Sequence, residues 1–525
     1  MQKLQRLPVG DSSFESIREN ECVYVDKTKF LFQMIDEGKF YFMSRPRRFG
    51  KSLTVSTLRC LFQGKKNFFS NLWITKNGDW EWKVHPVILL DFNEISHDTP
   101  ENLILGLTEN LKNYAQQNNI QLKTTLLKEQ FKELILALFY KTGVQVVILV
   151  DEYDKPLIDH IGKTEKSLET AKTNRDILKY FFGVLKGGDV LPVLRLIFIT
   201  GVSKFTRVSI FSELNNLDDL TMSEDFADMF GYTQEEMCNY FIPHMETFSQ
   251  KTGSNSTEVL KELERYYNGY RFTKRDVRVY NPFSVLMALK HKDFKNYWFE
   301  TGTPAFLVNI LKERDYPIAN IENLQMDEQI FSVFDIECIQ PEALLFQTGY
   351  ITIKDIKNNI YSFQYPNQEV KISFLKFLMF SYISGNGNDT SLFLRLSDFL
   401  QKEKIESFMK TITAIFASIP YTLNTKRDEA YFHTVFYLMI CASGVNARSE
   451  IMTCKGRIDL LMEFQNKIYI IEFKCNQTSQ KAIKQIVEKG YSDSYKHYGK
   501  KIILMGINFD TKTRNVSDWK IELIN

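Results

Sequence analysis

The 525-residue sequence predicts an α/β protein with a mostly parallel sheet in its first part, a helical middle region and a smaller α/β unit at the C-terminal end. Three observations predict it. Short apolar runs alternate with longer amphipathic stretches through the first part, the pattern of strands covered by helices. From Ser223 the strand signal fades and helical periodicity takes over. After Asp428 an αββαβ order returns. The chain is too long for one core, so divisions at 1–222, 223–389 and 390–525 are expected.

Four runs form the expected core strands of the first part: Phe40 to Met43, Val87 to Leu90, Val144 to Val150 and Leu194 to Thr200. The last three are almost continuously apolar, as strands buried on both faces should be. Helices are predicted over Glu101 to Gln116 and Leu126 to Tyr140 between them, then over Gln234 to Gln250 and Ser256 to Tyr267, with Asn281-Pro282 opening another. Ser384 to Asp389 concentrates turn residues and reads as a loop. The C-terminal unit is predicted as a helix (Glu429 to Ser443), two strands (Arg457 to Phe464, Lys467 to Phe473), a helix (Ser479 to Tyr491) and a strand (Lys501 to Gly506).

Composition excludes several classes of protein. With 66 basic and 64 acidic residues the net charge is +2, so contact with a polyanion must be local. The seven cysteines are scattered without CxxC spacing, which predicts free thiols in a reducing compartment and no structural zinc. The first twenty residues lack an apolar export signal, and no run of 18 apolar residues occurs; a cytoplasmic protein without membrane contact is expected. HExxH and GxSxG patterns are absent.

Chemistry concentrates at two places, the first of them where the Phe40 to Met43 strand runs through a polar turn into Gly50-Lys51-Ser52 at a helix start. Backbone N–H groups there can cradle phosphate oxygens, with Lys51 on the β/γ-phosphates and Ser52 on Mg²⁺. The pattern G-x-x-x-x-G-K-[ST] asks for glycine at position 45, where this chain has Arg45, so the loop must turn without it, stiffened by Pro46. The run Val146 to Val150 ends in Asp151-Glu152, where Asp151 suits the Mg²⁺ shell and Glu152 suits polarising the attacking water. A solvated strand end is the competing reading of these two acids. Thr200 or Ser203, at the end of a third strand, could sense the γ-phosphate or simply cap the strand. Arg47 and Arg48 could neutralise the triphosphate or pair with nearby acids. Asp26 and Lys27 stand either by the nucleotide or as a surface pair.

The segments Ser44 to Ser52, Val150 to Pro156 and Thr200 to Phe205 resemble those of the bacterial AAA-ATPase-like family. Tyr24 to Thr28, Tyr267 to Tyr270, Val279 to Ser284 and Tyr297 to Thr303 extend the resemblance over most of the chain. It implies a P-loop ATPase domain and, commonly in that family, a C-terminal PD-(D/E)xK nuclease-superfamily domain.

The second place fits that implication. Asp459 lies on one strand of the C-terminal unit, and Glu472-Phe473-Lys474 ends the next. One carboxylate from each strand can hold Mg²⁺ while a lysine two residues on, pointing the same way as Glu472, orients water. Asp459 with Glu472-x-Lys474 resembles the D…ExK core of the superfamily. An ordinary ion pair between Glu472 and Lys474 is the alternative. Glu429 and Gln485 stand where such folds often add site residues, or on solvated helix faces. Lysines 481, 484, 489, 496, 500 and 501 make the last helix and its exit basic, suited to a phosphate backbone or to solvent. The expectation is ATP hydrolysis coupled to Mg²⁺-dependent cleavage of nucleic acid, DNA before RNA, with homo-oligomerisation left open. The alternative is an ATP-dependent switch or scaffold whose C-terminal domain only binds nucleic acid or a protein.

Overall fold

The apolar runs of the first part form one parallel sheet in the computed structural model, which describes residues 4–204, 210–211, 216–300, 307–308, 310–311, 316, 318–328, 331, 340–383, 390–419 and 428–524. The strands are β1 (Phe40–Ser44), β2 (Val87–Asp91), β3 (Val146–Asp151), β4 (Leu194–Gly201) and the two-residue β5 (Asp218–Asp219). They lie in the order β2-β3-β4-β1-β5, and every pairing is parallel. All of β3 is buried, as is β4 apart from Arg195, which is why both read as unbroken apolar runs. Because the strands are parallel, Ser44, Asp91, Asp151 and Gly201 all arrive at the same edge of the sheet, the carboxyl edge, where open α/β sheets bind ligands.

Helices α1 (Lys51–Phe62), α2 (Pro100–Gln117), α3 (Leu127–Thr142) and α4 (Glu165–Phe182) connect the strands. Their ends follow local chemistry. Thr99 caps α2 by accepting the Asn102 N–H, with Pro100 in the first turn, and Gly143 closes α3 in the left-handed conformation.

The chain falls into two compact units, Met1–Ile310 with Met326–Ser362 and Pro366–Glu369, and Leu311–Gln325 with Phe363–Tyr365 and Val370–Asn525. The helices expected as a middle region from residue 223 onward, α5 (Gln234–Tyr240), α6 (Ile242–Thr252), α7 (Ser256–Tyr267) and α8 (Pro282–His291), pack within the first unit. A single helix over 234–250 does not form. Pro243 cannot donate an N–H and is tolerated only in a first turn, so the chain breaks at Phe241 and α6 begins anew. Phe241, Phe248, Leu263 and Tyr267 build a shared core with Val23 and Val25, and Leu7 and Val9 pack against it. Two of the middle motifs thereby acquire structural roles. Gly269 has φ +100° and so little room that a Cβ would lie 2.0 Å from the Pro366 carbonyl oxygen, while Asn281 caps α8 by accepting the Ser284 N–H.

In the second unit, α9 (Glu429–Ala442) precedes β6 (Asn446–Thr453), β7 (Gly456–Glu463), β8 (Lys467–Cys475), α10 (Ser479–Glu488), β9 (Lys501–Asp510) and β10 (Asn515–Ile524). The sheet order is β10-β9-β8-β7-β6; β8 and β9 are parallel and joined through α10, and the other pairs are antiparallel. The two outer strands, β6 and β10, were not expected. Each is an edge strand carrying mixed polar and apolar residues, so neither gives the apolar run that marks a covered strand. Ile458, Leu461, Ile470, Ile483 and Leu504 fill the core between the sheet and α10.

Ser384 to Asp389, Phe205, Thr301 to Thr303 and Cys338 lie outside the described residues. The described cysteines are free, and no described helix is long and apolar enough to cross a membrane.

Candidate nucleotide and metal sites

The turn between β1 and α1 is built by one glycine and one strained residue. Gly50 sits at the helix N-cap with φ +93°, and Arg48 also has positive φ, so the loop doubles back before Lys51 starts α1. Lys51 is only 4% exposed. Its ammonium donates to the carbonyl oxygens of Arg45 (3.1 Å) and Pro46 (3.3 Å) and stands 3.5 Å from Glu152 Oε1.

Arg45 explains how the loop does without the glycine of the usual pattern. Its side chain leaves the loop and is buried, donating from Nη1 to the carbonyls of Ser44 (2.9 Å) and Thr221 (2.8 Å) with its guanidinium 4.5 Å from the Phe272 ring centre. Burial pushes the guanidinium down to about 9, and Asp219 opposes that shift. Arg45 is therefore a packing element beneath the loop. Restoring the pattern with Arg45→Gly will empty this site and free the backbone, lowering stability by about 2 kcal/mol in a denaturant titration.

Asp151 ends β3 at 2% exposure. Burial and the neighbouring Glu152 push its carboxyl up to about 7, against the Ser52 hydroxyl that hydrogen-bonds to it and the charge of Lys51. Ser52, Lys51, Asp151 and Glu152 thus come together at the carboxyl edge of the sheet, and Asp151 is not a solvated strand end. Thr200 goes elsewhere: it is fully buried and its hydroxyl donates to the Met43 carbonyl at 2.7 Å, tying β4 to β1. Ser203 is also buried and donates to Asp154 Oδ2 at 2.7 Å.

A cleft of about 410 Å³ opens over these groups, a volume suited to a nucleotide-sized ligand. Lys51, Ser52, Glu152 and Asp154 line one side, and Pro8, Gly10, Tyr232, Pro282 and Phe283 line another. Arg47 and Arg48 are exposed on its rim, with the Arg48 guanidinium 4.8 Å from the Phe283 ring centre. Among the described residues neither arginine is within ion-pair distance of an acid, which leaves both charges free to meet a triphosphate. The N-terminal residues at the cleft are Pro8, Gly10, Asp11, Ser12 and Ile17; Asp26 and Lys27 are anchors outside it. Asp26 accepts the Trp73 N–H at 2.6 Å, and Lys27 pairs with Glu236 at 2.6 Å. Asp154 was missed because nothing in its local sequence separates it from Asp151 and Glu152.

The second site lies across β7 and β8. Asp459 Oδ2 accepts the Phe473 N–H at 2.8 Å. Glu472, 2% exposed, receives Lys474 Nζ on Oε1 at 3.0 Å and the Gln485 amide on the same oxygen. Its Oε2 is buried without a hydrogen-bond partner among the described residues. Burial, then repulsion from Asp459, pushes the Glu472 carboxyl up to about 8, and burial likewise raises Asp459. Glu472 and Lys474 are in contact as expected, inside a group that also contains Asp459. Lys474 additionally donates to the Phe473 carbonyl at 2.9 Å.

Gln485 and Glu429 belong to this group as well. Burial raises the Glu429 carboxyl, and it feels Lys474, Asp459 and His433. His433 was missed, being a lone histidine on an apolar helix; it hydrogen-bonds through Nε2 to the Asp459 carbonyl (2.9 Å) and lies 3.1 Å from Glu450 through Nδ1.

Both donor sets fit magnesium. Among the described residues no group of three or more His, Cys, Asp or Glu is arranged to hold a metal. Mg²⁺ does not need one, since it keeps several waters and takes one or two carboxylates together with substrate phosphate. Ser52 with Asp151 offers such a set. Asp459 with the orphaned Glu472 Oε2 offers the other.

Comparison with known proteins agrees with this geometry. Residues 8–211 match the family described as "Predicted AAA-ATPase", and residues 427–519 match the PD-(D/E)XK nuclease superfamily. An "Uncharacterized protein in vnfD 5'region" of Azotobacter chroococcum mcd 1 is 35% identical over 529 residues, covering 99% of each chain. With the phosphate-loop lysine beside the strand-end acids at one site and the D…ExK group assembled at the other, the chain belongs to the AAA-ATPase-like family and carries a C-terminal PD-(D/E)XK nuclease-superfamily domain.

Proposed function

We propose that the protein binds and hydrolyses ATP in the cleft over Lys51 and uses its C-terminal domain to cleave nucleic acid phosphodiester bonds. The observation that carries the first part is that Lys51, Ser52 and Glu152 line one cleft at the carboxyl edge of a parallel sheet, with Asp151 buried beside them and hydrogen-bonded to Ser52. The α1 N-terminus and Lys51 hold the phosphates, and Arg47 and Arg48 on the rim offset the remaining charge. Glu152 orients water and accepts its proton as the water oxygen bonds to the γ-phosphorus and the bond to ADP breaks. Magnesium, when bound by Ser52 and Asp151, neutralises charge on the triphosphate.

In the C-terminal domain, Asp459 and Glu472 would hold magnesium, which would offset charge on the scissile phosphate, and Lys474 positions water beside it. The Lys474 charge already resting on Glu472 favours a second reading, a domain that binds nucleic acid without cutting it. A reducing, cytoplasmic setting fits the free described thiols.

Purified protein with ATP, Mg²⁺ and mixed single- and double-stranded DNA and RNA tests both parts, scored by phosphate release and strand scission. Glu152→Gln is expected to keep ATP affinity and lose about 100-fold or more in turnover. Normal turnover in that variant removes Glu152 from the mechanism. Phosphate release without scission on any substrate selects the binding-only reading of the C-terminal domain.

A further inference from the structure

Glu152 adopts φ +52°, a left-handed conformation that side chains with a Cβ rarely take, so the residues after it must hold it there. We propose that Asp154 is a positioning residue for ATP hydrolysis, tying the turn after β3 to the exit of β4 and thereby fixing Glu152 against Lys51. This rests on the ATPase reading above.

Asp154 is fully buried. Its Oδ2 accepts the Ser203 N–H (2.7 Å), the Ser203 hydroxyl (2.7 Å) and the Val202 N–H (3.2 Å). A buried carboxylate satisfied by three donors from one neighbouring segment is a tether, because pulling that segment away would leave the buried group without its hydrogen bonds. Tyr153 adds two further ties to the same strand exit: its N–H donates to the Thr200 carbonyl (3.2 Å) and its hydroxyl to the Ser203 carbonyl (2.8 Å). The two residues following Glu152 are thus fastened to the end of β4 and the segment leaving it. Gly201 lies under them without room for a side chain, since a Cβ would stand 2.5 Å from Asp154 Oδ1 and 2.6 Å from the Tyr153 ring.

Asp154 also lines the cleft and lies within electrostatic reach of Glu152 and Lys51, so direct action on substrate is the rival role. Ser203 separates the two. It is not among the residues that line the cleft, and its hydroxyl hydrogen-bonds to Asp154.

The test measures kcat, KM for MgATP and ADP affinity for Ser203→Ala and Asp154→Asn, with Glu152→Gln as control and thermal melting to confirm folding. Ser203→Ala is expected to lower kcat about tenfold and Asp154→Asn about 100-fold, with KM and ADP affinity within about twofold, because binding groups are untouched while Glu152 loses its orientation. Should Asp154→Asn fail to fold, the Ser203→Ala split between kcat and KM decides alone. Normal kcat in the folded clasp variants beside an inactive Glu152→Gln overturns the inference and spares the ATPase reading. An unaffected Ser203→Ala beside an inactive Asp154→Asn also overturns it, by assigning Asp154 to the substrate. Full activity in Glu152→Gln defeats the ATPase role of Glu152 and the inference together.

Discussion

Lys51→Ala protein will lose ATP turnover by about 100- to 1,000-fold and bind ATP markedly more weakly, because it removes the buried cation that lines the cleft at the start of α1, within ion-pair distance of Glu152. The ammonium stands 3.1 and 3.3 Å from two loop carbonyls and 3.5 Å from Glu152. Its removal leaves those buried carbonyls without that donor, a structural cost of about 1–3 kcal/mol each. Phosphate release and a fluorescent ATP analogue, read beside a melting curve, separate lost chemistry from lost structure. Turnover within twofold of the parent protein would remove Lys51 from the site.

The second large effect concerns the C-terminal domain. Asp459→Ala will reduce metal-dependent strand scission by about 100-fold or more while leaving ATP affinity unchanged, since the two donor sets share no residue. A gel assay with labelled DNA and RNA, alongside ATP binding, checks it; undiminished scission in the folded variant rules out the nuclease assignment. Glu472 makes a companion prediction about stability. Its carboxyl ordinarily titrates near 4.5 and is raised to about 8 in the fold. Folding therefore favours its protonated form, and its stabilising contribution is complete below pH 4.5 and is lost as pH rises towards 8. Glu472→Gln, which cannot ionise, will flatten the fall in metal-free melting temperature over that range, and Mg²⁺ will stabilise the parent protein but not the variant.

Much of this was legible because parallel strands covered on both faces announce themselves as apolar runs. Val146 to Val150 and Leu194 to Thr200 carried the sheet, and the acids placed directly after the former marked its carboxyl edge. The edge strands β6 and β10 were missed for the converse reason: neither gives a continuous apolar run, β6 because three polar residues stand together in it and β10 because only its second half, from Trp519, alternates. The site was legible where chemistry is local in sequence, as in Gly50-Lys51-Ser52 and Glu472-Phe473-Lys474. It was hidden where partners meet across the fold. Nothing in the sequence could show that Arg45 turns inward to Thr221 and Phe272, that Thr200 spends its hydroxyl on Met43, or that His433 stands behind Asp459. Glu429 and Gln485 were read as solvated helix faces ahead of site residues, because helical spacing alone does not say which face meets β8.

The central claim is that a triphosphate is gripped between the start of α1 and the acids ending β3. A crystal structure of the protein with Mg²⁺ and a non-hydrolysable ATP analogue tests it most directly. The account predicts the β- and γ-phosphates within about 3 Å of Lys51 Nζ and the α1 backbone N–H groups, with the metal between Ser52 and Asp151 and the Glu152 carboxylate facing the γ-phosphate. Nucleotide bound away from Lys51, or a metal that ignores both Ser52 and Asp151, would contradict it.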